Sequence, residues 1–206
     1  MAVSTPPVPL LVSPTWSFDG DDGSWSTFAI DVGRPPQSFR VLPSTTGSEI
    51  WIPIPQACQS ILINVTNCGD LRGVNDYDNI ASSGFQTNAS TSWETIGIYG
   101  LSTEQNLFGT SNNGLYGLDT VTLPSTANGP EHSVPNQTVA GLATTDFWLG
   151  SLGLGTATGN FSVEDTNIPS LLDTLKTQHL IPSLSFGYSA GASYGQKLIM
   201  NWVVVQ

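Results

Sequence analysis

Apolar and polar side chains alternate along much of the chain. Trp25-Ser26-Thr27-Phe28-Ala29-Ile30 runs into turn residues at Gly33-Arg34-Pro35-Pro36, and Ser38-Phe39-Arg40-Val41 alternates again. A period of two sends successive side chains to opposite faces, as in a half-buried strand. Further runs occupy 60–65, 93–100, 114–123, 134–142 and 197–205, with Gly and Asn between them. Short strands at this spacing predict an all-β barrel or sandwich.

One segment departs from that period. In the stretch from Asn167 to Pro182, Ile168, Leu171, Leu172 and Leu175 fall at i, i+3, i+4 and i+7, an apolar helical stripe. Asn167 can cap its start, Pro169 is tolerated in the first turn, and Pro182 blocks continuation. The pattern predicts one short helix packed under a sheet.

Composition narrows the partners. The 206 residues are enough for one full core. Only 10 % are charged, with 16 acids against 5 bases and a net charge of −11. The bases (Arg34, Arg40, Arg72, Lys176 and Lys197) are scattered. Neither nucleic acid nor an anionic membrane surface is therefore an expected partner. Six Trp and a hydrophobic content of 39 % exclude a disordered chain. No run of about 18 apolar residues predicts a membrane span. The N-terminal stretch lacks a basic region and is broken by prolines, so residues 1–15 read as an extension of a mature secreted chain.

Cys58 and Cys68 are ten apart among turn formers. In a secreted protein they could close a loop worth roughly 2–3 kcal/mol; in a cytosolic one they would be separate thiols. No Cys-x-x-Cys or Cys/His cluster calls for a metal, and no cofactor is expected. Sequons at Asn64, Asn88, Asn136 and Asn160 permit glycosylation, although this Ser and Thr content gives about three by chance.

Three strings imitate functional motifs. Gly187-Tyr188-Ser189-Ala190-Gly191 matches a nucleophile elbow, but no Asp, Glu or His follows Ser189. The glycines from Gly153 to Gly159 miss the dinucleotide spacing by one residue and lack its strand–helix–strand setting. Asp19-Gly20-Asp21-Asp22-Gly23 lacks EF-hand spacing and reads as a solvated turn. His132 and His179 have no local partner that would make either a general base.

The chemistry-bearing stretch is VLPSTTGSEIWIP, residues 41–53. It predicts a strand, a small polar turn and a second strand ending on Trp51. A carboxylate in the turn would suggest catalysis; Ser44 puts a hydroxyl there. Together with Gly33-Arg34-Pro35-Pro36-Gln37-Ser38-Phe39-Arg40-Val41, the stretch resembles the N-terminal lobe of pepsin-like aspartic proteases. The family pattern is G-x-P-P-Q-x-F-x-V, two residues, D-T-G-S, then Trp. Aligned without gaps, Ser44 falls at the catalytic Asp, Thr45 matches the Thr, Thr46 replaces the Gly, and Trp51 matches the Trp.

The resemblance extends over about residues 16–195. Cys58 and Cys68 fall at the family's short disulfide loop and are expected to pair. Ile98-Tyr99-Gly100 looks like the start of the flap, and Gly114-Leu115-Tyr116-Gly117-Leu118-Asp119-Thr120-Val121 like its return strand. Leu149-Gly150-Ser151-Leu152-Gly153-Leu154 looks like the segment that buttresses the active-site turn. The style is that of fungal secreted members.

The resemblance implies a single lobe, 16–206, of the pepsin-like double-psi β-barrel fold. Its chemistry needs two carboxylates sharing a proton. No Asp-Thr-Gly or Asp-Ser-Gly occurs, and the chain ends where a second lobe would follow. The expected function is a catalytically inactive extracellular module holding an extended peptide or a protein partner. Ser44 with Thr45, Thr46 and Gly47 marks the degenerate catalytic position, Ser44, Thr46 and Gly47 being the expected floor, and Tyr99, Gly100, Asp119, Ser48 and Trp51 are the expected cleft and flap residues. Two alternatives are an aspartic endopeptidase that needs a second lobe, and a structural cell-wall or surface protein. The apolar run 198–206 is expected either in the lobe's own sheet or as the edge of a homodimer.

Overall fold

The alternation read from the chain becomes two strands at the centre of the molecule. β2 (Trp25–Val32) buries Phe28, Ile30 and Val32, and β3 (Gln37–Ser44) buries Gln37, Phe39 and Val41, every second residue facing the core. The computed structural model describes residues 10–12, 14–19, 25–59, 65–101, 113–124, 131–144, 147–156, 159–161 and 166–188. The remaining strands are β1 (Pro14–Asp19), β4 (Ile50–Pro53), β5 (Glu94–Gly100), β6 (Asn113–Leu123), β7 (His132–Leu142), β8 (Gly150–Gly153), β9 (Gly159–Phe161) and β10 (Thr166–Ile168). Among the described residues there are also two short α-helices, α1 (Cys68–Leu71) and α2 (Leu171–Thr177), and 3-10 turns at Pro55–Cys58 and Thr87–Ala89.

Eight strands form one sheet in the order β1-β2-β3-β8-β4-β7-β6-β5. β2 also pairs with β6, through Asp31 with Thr122 and Val32 with Val121, which curls the sheet back on itself. Within the core cluster lie Phe28, Ile30, Phe39, Val41, Ile50, Ile52, Val121, Val134, Val139 and Leu152. A second cluster gathers Trp51, Leu101, Tyr116, Ala140, Leu142 and Ile168. β4 divides the two, because Ile50 and Ile52 face one cluster and Trp51 the other.

The helix begins later than its apolar stripe suggests. Ser170, not Asn167, is the cap: its Oγ accepts from Asp173 N at 3.1 Å, while its own N donates to Asp173 Oδ2 at 3.3 Å. This reciprocal pair satisfies two donors that the first turn would leave open. Asn167 lies in β10, and Pro169 precedes the cap rather than opening the helix. Leu171, Leu172 and Leu175 are buried in the main core, each worth about 1.5–3 kcal/mol when fully removed from water. Ile168 joins the other cluster.

α1 is a helix the sequence pattern did not predict. In the run 60–65, only Val65 is described, and it is exposed outside any strand. The run 197–205 and the apolar segment 198–206 lie outside the described residues.

Candidate functional site

β3 and β4 are consecutive in sequence but do not pair with each other. β8 threads between them, parallel to β3 from Val41–Gly150 to Ser44–Gly153, and antiparallel to β4 at Ile50–Leu152 and Trp51–Ser151. β4 in turn runs parallel to β7. This ψ-shaped crossing projects the turn 45–49 from the end of the sheet. Leu154 N donates to Ser44 O at 2.8 Å, Gly155 N to Gly47 O at 2.8 Å, and Gly153 N to Glu49 O at 3.0 Å. Gly153 is required by this closeness, since a Cβ there would lie 2.5 Å from Glu49 N. The predicted buttress thus clamps the turn from below.

Ser44 sits at the C-terminal end of β3, and its Oγ accepts from Gly47 N at 2.9 Å. A side chain that accepts from a backbone N–H three residues on holds a tight polar turn. Thr45 and Thr46 are exposed, Gly47 is buried, and Ser48 is half-buried. Trp51 falls in the second position of β4 rather than at its end.

β5, which carries the residues expected in the flap, is a terminal strand of the described sheet and pairs with β6, Tyr99 opposite Gly114. Tyr99 is half-buried, with its ring 6.1 Å from that of Tyr116 in an edge-to-face arrangement. Gly100 is exposed. Residues 102–112, beyond the strand, lie outside the described residues.

Glu49, the last residue of the turn, was not among the expected site residues. Its side chain is buried and accepts two hydrogen bonds, from Trp51 Nε1 at 2.9 Å and from Tyr116 OH at 2.7 Å. Burial raises the Tyr116 phenol's pKa above its ordinary range, and the Glu49 charge and hydrogen bond add to the shift. The Glu49 carboxylate therefore joins the turn to Trp51 and Tyr116, and a ring contact carries the link from Tyr116 to Tyr99 on β5.

Asp119 has a different surrounding. It accepts from Ser90 Oγ at 2.9 Å, Ser92 Oγ at 2.5 Å and Thr120 N at 2.7 Å. Ser90 Oγ also accepts from Arg34 N. These bonds fasten the segment 90–92, just before β5, to β6 and to the turn between β2 and β3; none of them reaches Ser44. Asp19 is likewise occupied, by Thr27 Oγ1 and Arg40, while residues 20–24 lie outside the described residues.

Cys58 and Cys68 are joined in a disulfide. Beside it, Arg72 is fully buried and donates to the carbonyls of Thr144 and Phe147, both at 2.9 Å, and of Ala57 at 3.5 Å. Its guanidinium lies 5.6 Å from the centre of the Trp148 ring, and burial lowers its pKa. Asn88 and Asn136 are exposed, Asn160 falls in β9, and Asn64 lies outside the described residues.

A sheet closed by the β2–β6 pairing, with β8 threaded between β3 and β4, defines one all-β, pepsin-like lobe. Over residues 27–198 the chain matches the family model described as eukaryotic aspartyl protease, and it belongs to that family. None of the curated proteins compared matches it.

Proposed function

We propose that this lobe binds an extended peptide at its turn and flap without cleaving it, and that it does so outside the cell. The observation that carries the reading is Ser44. It occupies the end of β3, where the family's turn bears the acid, and its hydroxyl is spent on Gly47 N. A serine hydroxyl supplies no carboxylate to activate water. General acid–base help alone is typically worth about 10²–10⁴ in rate. The disulfide supports an oxidising compartment, and exposed Asn88 and Asn136 suit a secreted glycoprotein of the fungal type. No helix among the described residues is long and apolar enough to cross a membrane.

The family match favours a second reading, in which the chain is one lobe of an aspartic endopeptidase. A cleavage assay on denatured protein at pH 3–5, with and without pepstatin, separates the two. The expected result is no pepstatin-sensitive cleavage by the natural chain, and none of consequence from Ser44→Asp, which restores one carboxylate of the two required. Pepstatin-sensitive turnover by the natural chain would overturn the binding reading.

A further inference from the structure

A carboxylate removed from water is normally neutralised by a cation or by donors on both oxygens, because isolated buried charge is strongly penalised. Glu49 is 7 % exposed, and among the described residues it meets no cation and takes donors on one oxygen only. Its two described hydrogen bonds, from Trp51 and Tyr116, both fall on Oε2. Among the described residues no Lys or Arg pairs with it. Arg40 is held by Asp19 and Asp70, and Arg72 by backbone carbonyls. Both donors come from one aromatic cluster, against which Tyr99 packs, so the carboxylate is fixed in position; Oε1 receives no hydrogen bond from a described residue and is not among the fully buried unpartnered atoms, which leaves it open to a further partner.

We propose that Glu49 is a cation-recognising subsite. Oε1 takes the ammonium or guanidinium of a Lys or Arg side chain carried by a peptide that lies between turn and flap. The inference rests on the peptide-binding reading above and adds the class of peptide. Two features of different scale agree with it. The half-buried ring of Tyr99, packed on the cluster that holds Trp51 and Tyr116, offers surface along which an aliphatic stem can lie before its charged head meets the acid. The net charge of −11 draws basic peptides toward the whole molecule and repels acidic ones.

The test uses the full chain and two series of capped hexapeptides of Ala and Val. One series carries a single Lys, moved through each position; the other carries norleucine in its place, with the same stem and no charge. Binding is followed by calorimetry at low salt. A Lys peptide is expected to bind at least about tenfold more tightly than its norleucine twin. In Glu49→Gln the amide oxygen still accepts from Trp51 and Tyr116, so the norleucine affinity should be kept while the Lys preference disappears. Equal binding of both series to the natural chain would overturn the cation subsite and leave the peptide-binding reading standing. A Lys preference that survives Glu49→Gln would overturn it as well. If neither series binds, the peptide-binding reading fails and the subsite fails with it. If the variant folds poorly, the comparison is repeated on the natural chain at physiological salt, where attraction to the overall charge is screened; a Lys preference lost there would overturn the subsite.

Discussion

Tyr116 is where the candidate site and the stability of the lobe meet. Its hydroxyl donates to Glu49 inside the protein, and its ring packs against Trp51's cluster. Tyr116→Phe keeps the ring and leaves the buried carboxylate one donor short, a loss of about 1–3 kcal/mol. The raised pKa fixes the sign of a pH effect. An unfolded tyrosine ionises near about 10, whereas burial and Glu49 hold the folded phenol protonated well beyond that. The unfolded state then binds fewer protons above that pH, so stability is fully present below it and is lost as pH rises. One such group contributes a slope of about 1.4 kcal/mol per pH unit. Urea unfolding from pH 8 to 11 should show a shallower decline for Tyr116→Phe than for the natural chain; equal slopes would refute the buried phenol. None of this was legible at the residue level. Glu49 adjoins the recognised turn, but its partner Tyr116 is 67 residues away, and only the folded register places them together.

At the scale of elements, α1 hangs between the disulfide and Arg72. The Cys58–Cys68 bridge spans ten residues, and closing so short a loop restrains the unfolded chain modestly, by about 2–3 kcal/mol. Arg72 ties the same region to the carbonyls of Thr144 and Phe147 independently of the sulfurs. The double substitution Cys58→Ser with Cys68→Ser is therefore expected to lower stability by that amount and leave a cooperatively folded lobe, as measured by urea unfolding. Loss of the cooperative transition would mean that the bridge, not the core, organises this region. β2 and β3 were legible because a period of two runs through much of their length, whereas β6 and β7, buried over long consecutive stretches, showed only as extended apolar runs. α2 was legible from its leucines, but its start was not. Asn and Ser are both good caps, and the choice fell to Ser170 because Asp173 lies three residues on. α1 has four residues, too few to show any period.

For the whole molecule, local pattern reaches the class of fold but not its crossing. Nothing in the alternation of 37–53 says that β8 will pass between β3 and β4; that was accessible only through the ordered likeness of the turn, flap and buttress segments to a family. Charge, by contrast, can be read directly from the chain and acts on the molecule as one body. At pH 7 the net charge of −11 opposes association. That repulsion vanishes near the pI of about 4.1. The surface then brought into play includes β5, the terminal strand of the described sheet, where Ile98 is 71 % exposed. A terminal strand with exposed apolar side chains is a template for pairing with another chain. Light scattering should report the lowest apparent mass at pH 7 in low salt and the highest near pH 4. Raising the ionic strength at pH 7 should move it part of the way, because screening shortens the reach of the repulsion to about 8 Å or less at physiological salt and above. Ile98→Lys places a charge on the edge and should suppress the rise near pH 4 without altering the urea midpoint at pH 7. A mass that stays constant from pH 7 to pH 4 would show that net charge does not govern association, and a rise unaffected by Ile98→Lys would place the contact elsewhere than β5.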